Sequence, residues 1–429
     1  MKSIFTLAAL LLCGLFAKAQ HYSPCLFENA VQAMEAAHPG YRSAAKKTYD
    51  RLNSGIQNRT DEIYTVQVVV HVVWKENDEN IPMSQIEAQM EELNRCYRRR
   101  NADTINMRAV FQPVAGDPHI EFNLAEVRRV QTNALFAPTF SLTATTMPDE
   151  VKQSDEGGSD AADPDHFLNI WVCKIQPLSI FGQESPILGY AYPPADLDNW
   201  PTGSEAPFKN LEGVVIDFRA FGKGSFTVPG VGSLPIEGRT TVHEVGHYLG
   251  LRHISGDGFS GLLGIPDCDA DDGLADTPNQ GFQSQFDCNA AQNTCDEGAG
   301  DLPDMIENYM DYSRETCQNT FTKGQVNIMR NVLEGPRRGL LETSSVETPQ
   351  FEQFIEISPN PSTALFYIKT PADMAVKNLR ISDALGRQIE QVSNPATNFI
   401  DLSAQPRGVY WLSFYFENGK MSSRKLLKF

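Results

Sequence analysis

The strongest apolar run in the body of the chain is Tyr64-Thr-Val-Gln-Val-Val-Val-His-Val-Val-Trp74, β-branched at most positions, which predicts a buried strand. Ile86, Met90, Leu93 and Tyr97 then recur at spacings of 4, 3 and 4, which predicts a helix. Ser84 and Glu87 predict a capping box at its start. Cys96 falls beside the apolar stripe and reads as a buried thiol. Phe167–Ile175, which contains Trp171 and Cys173, and Leu211–Phe218 read as two further strands. Strand, helix, strand, strand and a helix near residue 240 predict a mixed α/β domain.

The pattern changes at both ends. Residues 20–59 are polar and build no core; a short helix over Glu28–Ala37 is expected there, broken at Pro39-Gly40. Residues 342–354 are rich in Ser, Thr and Glu and suit a linker. Beyond it Ile355–Ser358, Phe366–Lys369, Leu379–Ser382 and Val409–Phe416 are short strands separated by turn residues, and Asn418-Gly419 is a hairpin signal. Residues 355–429 therefore read as a small all-β sandwich.

At 429 residues the chain is long enough for two to three domains, and 41% hydrophobic with 10% aromatic residues is enough to bury a core. The charge, 36 − 54 = −18, repels phosphate backbones, so no nucleic-acid partner is expected. No apolar run reaches the ~18 residues of a transmembrane helix. The N-terminus is apolar for a shorter stretch. Met1-Lys2, the run Ile4–Phe16 and Ala17-Lys18-Ala19 read as a secretory signal peptide over residues 1–19, cut before Gln20. Lipidation at Cys13 is the weaker reading, because Leu12 is large for the position before such a cysteine. Export makes disulfides permissible. Seven cysteines remain after cutting, so at least one is unpaired within the monomer.

Residues 243–253 read His-Glu-Val-Gly-His-Tyr-Leu-Gly-Leu-Arg-His. His243 and His247 are four apart, about 40° around a helix, so both imidazoles can reach one metal. Glu244 lies about 100° round, where it can take a proton from a water instead. Gly250 can adopt the left-handed conformation that ends the helix, returning His253 as a third nitrogen ligand. Three neutral nitrogens leave one position open, as catalytic zinc requires. A chance match of all five positions is on the order of 10⁻⁵ for a chain of this length.

These residues match the metzincin motif HExxHxxGxxH. Asn308-Tyr-Met-Asp-Tyr312 resembles the Met-turn, which implies Met310 as an apolar floor under the zinc and Tyr312 beside the metal. Cys268, Asp272-Gly-Leu-Ala-Asp-Thr-Pro278, Cys288, Cys295, Cys317 and Phe321-Thr-Lys-Gly-Gln325 resemble the pappalysin, or cytophagalysin, family over roughly residues 60–335. The resemblance implies a twisted mixed sheet above the zinc and a loop-rich lower subdomain below it. The four cysteines of that lower region allow three pairings from sequence alone. The family's crossed pattern implies Cys268–Cys295 and Cys288–Cys317. Asp269, Asp271, Asp272, Asp276 and Thr277 crowd oxygen ligands suited to calcium; the resemblance favours Asp272 and Thr277. In the sandwich, Ser358-Pro-Asn-Pro361, Asp383-Ala-Leu-Gly-Arg387, Gly408-Val-Tyr410 and Arg424–Phe429 resemble the sorting domain of type IX secretion. That implies an export address, with the secretion machinery as partner, rather than a catalytic part.

The expectation is a secreted zinc metalloendopeptidase: signal peptide 1–19, propeptide 20–59, metzincin domain 60–341, linker 342–354 and sorting domain 355–429. Its partners would be protein or peptide substrates. Zinc is held by His243, His247 and His253, Glu244 is the general base, and Tyr312 stabilises the oxyanion. The alternative is a surface binding or adhesion protein with a silent zinc site. Cys25, six residues into the exported chain, is expected to block the zinc in a latent precursor until cleavage near Arg59-Thr60. Arginine-preferring relatives carry an acid between the Met-turn and the next cysteine. Here that stretch is Ser313-Arg-Glu-Thr316, where Arg314 opposes Glu315, so a weaker or different preference at the residue after the cut is expected.

Overall fold

The computed structural model describes residues 24–27, 61–140, 145–180, 183–194, 209–229, 231–256, 266–342, 355–370, 376–383, 388–393, 399–416 and 421–429, with isolated positions between 28 and 60. The signal peptide at 1–19, the helix expected over Glu28–Ala37, nearly all of the linker and Asn418-Gly419 lie outside them.

The apolar run becomes strand β1, Tyr64–Trp74. Helix α1, Met83–Cys96, follows, with Ile86, Met90, Leu93 and Cys96 buried. The capping box does not form: Pro82 is the N-cap, in extended geometry, and no side chain caps the helix. Proline's fixed φ starts the helix one residue ahead of Ser84 and leaves Ser84 inside the first turn. Strands β2 (Ile120–Gln131), β3 (Phe167–Cys173), β4 (Gly189–Ala191) and β5 (Val214–Asp217) complete a sheet of order β2-β1-β3-β5-β4. Every pairing is parallel except β4 on β5, so the sheet is mixed and β4 is its antiparallel edge.

Both faces of this sheet are covered, as parallel strands require. Val66, Val68, Val70, Val72, Ile170 and Ile216 face one cluster with α1 and the later helices; Val73, Trp171, Cys173 and Val215 face another. A hairpin of β6 (Gly224–Val228) and β7 (Gly232–Ile236) leads into helix α2, Arg239–Tyr248. Helix α3, Lys323–Glu334, opens on the capping box of Thr322 and Gln325.

Between α2 and α3 the described residues, 249–256 and 266–322, are almost without regular structure. Cys268–Cys295 and Cys288–Cys317 bridge it, with Cα separations of 5.7 and 6.0 Å. Cys96 and Cys173 are buried thiols.

The C-terminal part has two sheets. One is three-stranded, β8 (Glu356–Ser358), β9 (Leu365–Lys369) and β12 (Phe399–Asp401), with β9 central. The other has β10 (Val376–Asp383), β11 (Gln388–Ser393), β13 (Gly408–Phe416) and β14 (Met421–Lys428) in the order β11-β10-β13-β14. Phe366, Ile368 and Ile400 from the first share one core with Leu379, Ile381, Leu412, Phe414 and Leu426 from the second. This is the sandwich that strand alternation predicted.

Candidate metal centre and substrate cleft

Helix α2 carries the centre. Its N-cap is Gly238, which has no side chain to cap it. The cap comes from 75 residues away: the Glu315 carboxylate accepts from Thr240 N at 2.8 Å and Thr240 Oγ1 at 2.7 Å, and from Glu237 N. Burial raises the proton affinity of Glu315, and these donors act against it. Gly250 is left-handed, at φ +89°, and the chain turns there to return His253.

His243, His247 and His253 are all buried. Their Nε2 atoms converge at 3.0, 3.1 and 3.2 Å from one another. His243 Nδ1 donates to Tyr309 O at 2.7 Å and His247 Nδ1 to Leu251 O at 2.8 Å. Carbonyls only accept, so the proton of each ring sits on Nδ1 and the Nε2 lone pairs of both face the centre. Nitrogens about 2.0–2.1 Å from a tetrahedral zinc are about 3.3 Å apart. The three nitrogens therefore fit zinc in spacing, and His243 and His247 fit it in tautomer as well. Burial favours the neutral, ligating form, holding His243 down to about 4 and the other two well below the ordinary range.

Below the helix, Met310 is fully buried. A Cβ at Gly246 would lie 2.6 Å from Met310 Sδ, so the glycine lets the Met-turn approach. The Tyr312 ring stands 4.9 Å from that of His253 and 5.7 Å from that of His243.

Pro24, Cys25 and Phe27 lie in the cleft. Cys25 Sγ and the three histidine nitrogens lie within 4.8 Å of one another. Cys25 pairs in parallel with Gly189 on the edge strand β4, and Leu188 N donates to Pro24 O at 2.8 Å. The thiol donates to Glu244 Oε2 at 3.5 Å, and Tyr312 OH donates to Cys25 O at 3.5 Å. Phe27 stacks on His247 with ring centres 4.0 Å apart. Glu244 is buried, and its carboxyl is pushed up to about 8 by that burial.

Sequence reasoning did not single out β4. Gly189 sits against Glu244, and a Cβ there would lie 2.7 Å from Glu244 Cγ. The two tyrosines beside it are anchored: Tyr190 OH and Tyr192 OH donate to Asp149 at 3.1 and 2.6 Å, and the wholly buried Lys152 pairs with Asp149 at 2.9 Å. Lys152 also donates to Leu211 O at 2.6 Å. The only sequence signal for this cluster is the pair of tyrosines two residues apart.

In the lower loops Asp272 is buried, with Oδ1 accepting from Leu274 N at 2.9 Å and Thr277 Oγ1 at 2.8 Å. Its Oδ2 is buried without a hydrogen-bond partner among the described residues, and burial raises the carboxyl well above the usual range. Asp276 does not join it: its two oxygens accept from Thr322 Oγ1 and Gly324 N at the start of α3.

Residues 235–334 match the family model for pregnancy-associated plasma protein-A, peptidase family M43, and residues 356–428 match a secretion system C-terminal sorting domain. Mature mirolysin of Tannerella forsythia, in complex with a cleaved peptide, is 36% identical with a TM-score of 0.52, over 65% of this chain and 96% of that one. A promirolysin mutant from the same organism is 32% identical with a TM-score of 0.59, over 75% and 98%. An extracellular metalloprotease of Arthroderma otae is 26% identical over 301 residues, 70% of this chain and 89% of its own length.

Proposed function

The chain belongs to the pappalysin (M43) family and is a secreted zinc metalloendopeptidase with a type IX sorting domain, and from that premise we propose which of its residues perform the reaction. His243, His247 and His253 hold the metal; the observation that carries this is the convergence of their Nε2 atoms, with the Nδ1 protons of His243 and His247 tied to carbonyls. Zinc, when bound, polarises the scissile carbonyl and makes water more acidic.

Glu244 is the general base. It sits in the cleft beside Gly189 and His243, takes a proton from the attacking water and hands it to the leaving amine. Tyr312 steadies the oxygen of the peptide under attack. Its hydroxyl already points at a peptide carbonyl, that of Cys25, in the same cleft. The edge of β4 is the strand on which substrate backbone lies, as the bridge from Cys25 to Gly189 illustrates.

Cys25 keeps the precursor latent. Its sulfur stands with the three histidine nitrogens, its thiol engages Glu244, and Phe27 covers the His247 ring. One thiol thus blocks both the metal and the base. Removal of the segment by a cut near Arg59-Thr60 frees both. Asp272 and Thr277 hold calcium: a buried carboxylate oxygen without a hydrogen-bond partner among the described residues is what a hard cation neutralises. Residues 355–429 are the address read by the secretion machinery.

The test of the assignment is Cys25→Ala in the full chain. Casein hydrolysis should begin earlier than in the parent, be abolished by phenanthroline and return with added zinc. A variant as silent as the parent precursor rules Cys25 out as the blocking group.

A further inference from the structure

Beside the histidines lies a recess of about 550 Å³, its open mouth included. His243, Glu244, Pro24 and Cys25 are among the residues that line it. One wall is the stretch after the Met-turn, Ser313 to Glu315; the other is the β6–β7 hairpin. A peptide lying on β4 across Glu244 presents the side chain next to its scissile bond to this recess.

Apart from Glu244 and Tyr312, which belong to the reacting centre, the charged and polar residues of the recess have their polar groups engaged elsewhere. The Glu315 carboxylate is held by Thr240 N, Thr240 Oγ1 and Glu237 N at the start of α2. Arg239 donates to Glu92 Oε1 at 2.9 Å and Asp103 Oδ2 at 3.0 Å, and also to Gln318 O. Gln318 Nε2 donates to the Asp311 and Ser313 carbonyls. The Asp311 carboxylate accepts from Gln280 Nε2, Ser284 N and Ser313 N, and Ser313 Oγ donates to Ile306 O. Arg314, exposed at the rim, donates to Phe286 O.

What remains to meet an incoming side chain is apolar: Leu188, Phe226, Leu234, Pro235, Ile236 and Phe286. A guanidinium entering here would lose its water and find Arg239 and Arg314 but no uncommitted carboxylate other than Glu244, the base of the reaction. An aliphatic or aromatic side chain would bury apolar area against the hairpin with nothing to desolvate.

We infer that this recess selects an uncharged, apolar side chain at the residue following the scissile bond, so that substrates are cut before aliphatic or aromatic residues rather than before arginine or lysine. The inference rests on the peptidase reading above and adds its substrate class.

The experiment is digestion of an unbiased peptide library by the full-length, zinc-loaded Cys25→Ala chain, with products sequenced by mass spectrometry. The expected result is at least a ten-fold enrichment of Leu, Ile, Met or Phe over Arg and Lys immediately after the cut. A second variant, Leu234→Glu in the same background, places a carboxylate without partners in the wall and should raise the share of Arg and Lys at least ten-fold. If Leu234→Glu does not fold, as judged by zinc content, the parent library decides alone. Enrichment of Arg or Lys by the parent, or no preference at that position, would overturn the inference while leaving the peptidase reading standing. No cleavage at all by the zinc-loaded chain, even after residues 20–59 are removed, would overturn both.

Discussion

The halves of the catalytic region above and below the zinc are held together by different physics. Above it, Val66, Val68, Val70, Val72, Ile170 and Ile216 stack in a sheet covered by helices, and burial of apolar area is the dominant stabilising term. Below it, from Asp267 to Thr320, the buried groups include Gln280, Ser284, Asp304, Asn308 and Asp311. Here the backbone has no ladder to satisfy it, so side chains do so. Asp304 accepts from Gln292 Nε2, Thr294 N and Thr294 Oγ1; Arg108 reaches across from the upper half to Glu307 and to the carbonyls of Ala290 and Asp304. The lesson is that the three histidines lie on a seam. The helix that carries two of them belongs to the packed half, while the Met-turn, Tyr312 and the cap on that same helix belong to the hydrogen-bonded half.

The comparison predicts unequal responses. The largest concerns the bridges. Replacing Cys268 and Cys295 together by Ser releases a separation of 27 residues and should cost roughly 3.5 kcal/mol in the chain-entropy model. Hydrogen exchange should then rise first between Asp267 and Thr320 while β1 and β3 stay protected. Equal loss of protection in the sheet would erase the distinction between the halves.

A smaller effect is expected from the cation. Calcium at about a hundred times its dissociation constant should add about 2.7 kcal/mol, seen as a raised Tm, and Asp272→Asn should remove most of that rise without altering zinc content. A Tm unmoved by calcium in the parent would leave Asp272 as an ordinary buried acid.

The difference between the halves also explains what the sequence made legible. Period-2 and period-3.6 patterns identified β1, α1, β3 and the sandwich strands, because in those elements one face meets the core. The HExxHxxGxxH spacing identified the metal centre because helix geometry alone brings His243 and His247 together. The start of α1 was misread, since the capping signal at Ser84 competes with Pro82, whose restricted backbone sets the N-cap. Glu315 as the cap of α2 was invisible for another reason: the two are 75 residues apart, and no local rule links a helix to an acid beyond the Met-turn. The same holds for Asp149, Lys152, Tyr190 and Tyr192, a polar cluster formed only by tertiary contact. The hydrogen bonds from Thr322 and Gly324 to Asp276 were equally hidden, since 46 and 48 residues separate the partners.

The most direct test of the account is Glu244→Ala, made in the Cys25→Ala chain, with zinc content and casein hydrolysis measured on the same preparation. The three histidines, and the carbonyl partners of His243 and His247, are untouched by the change, so one zinc per chain and an unaltered melting temperature are predicted. The base is gone, so turnover should fall by about 10²–10⁴-fold. Near-normal hydrolysis by that variant, with its zinc in place, would contradict the assignment of Glu244 and the mechanism built on it.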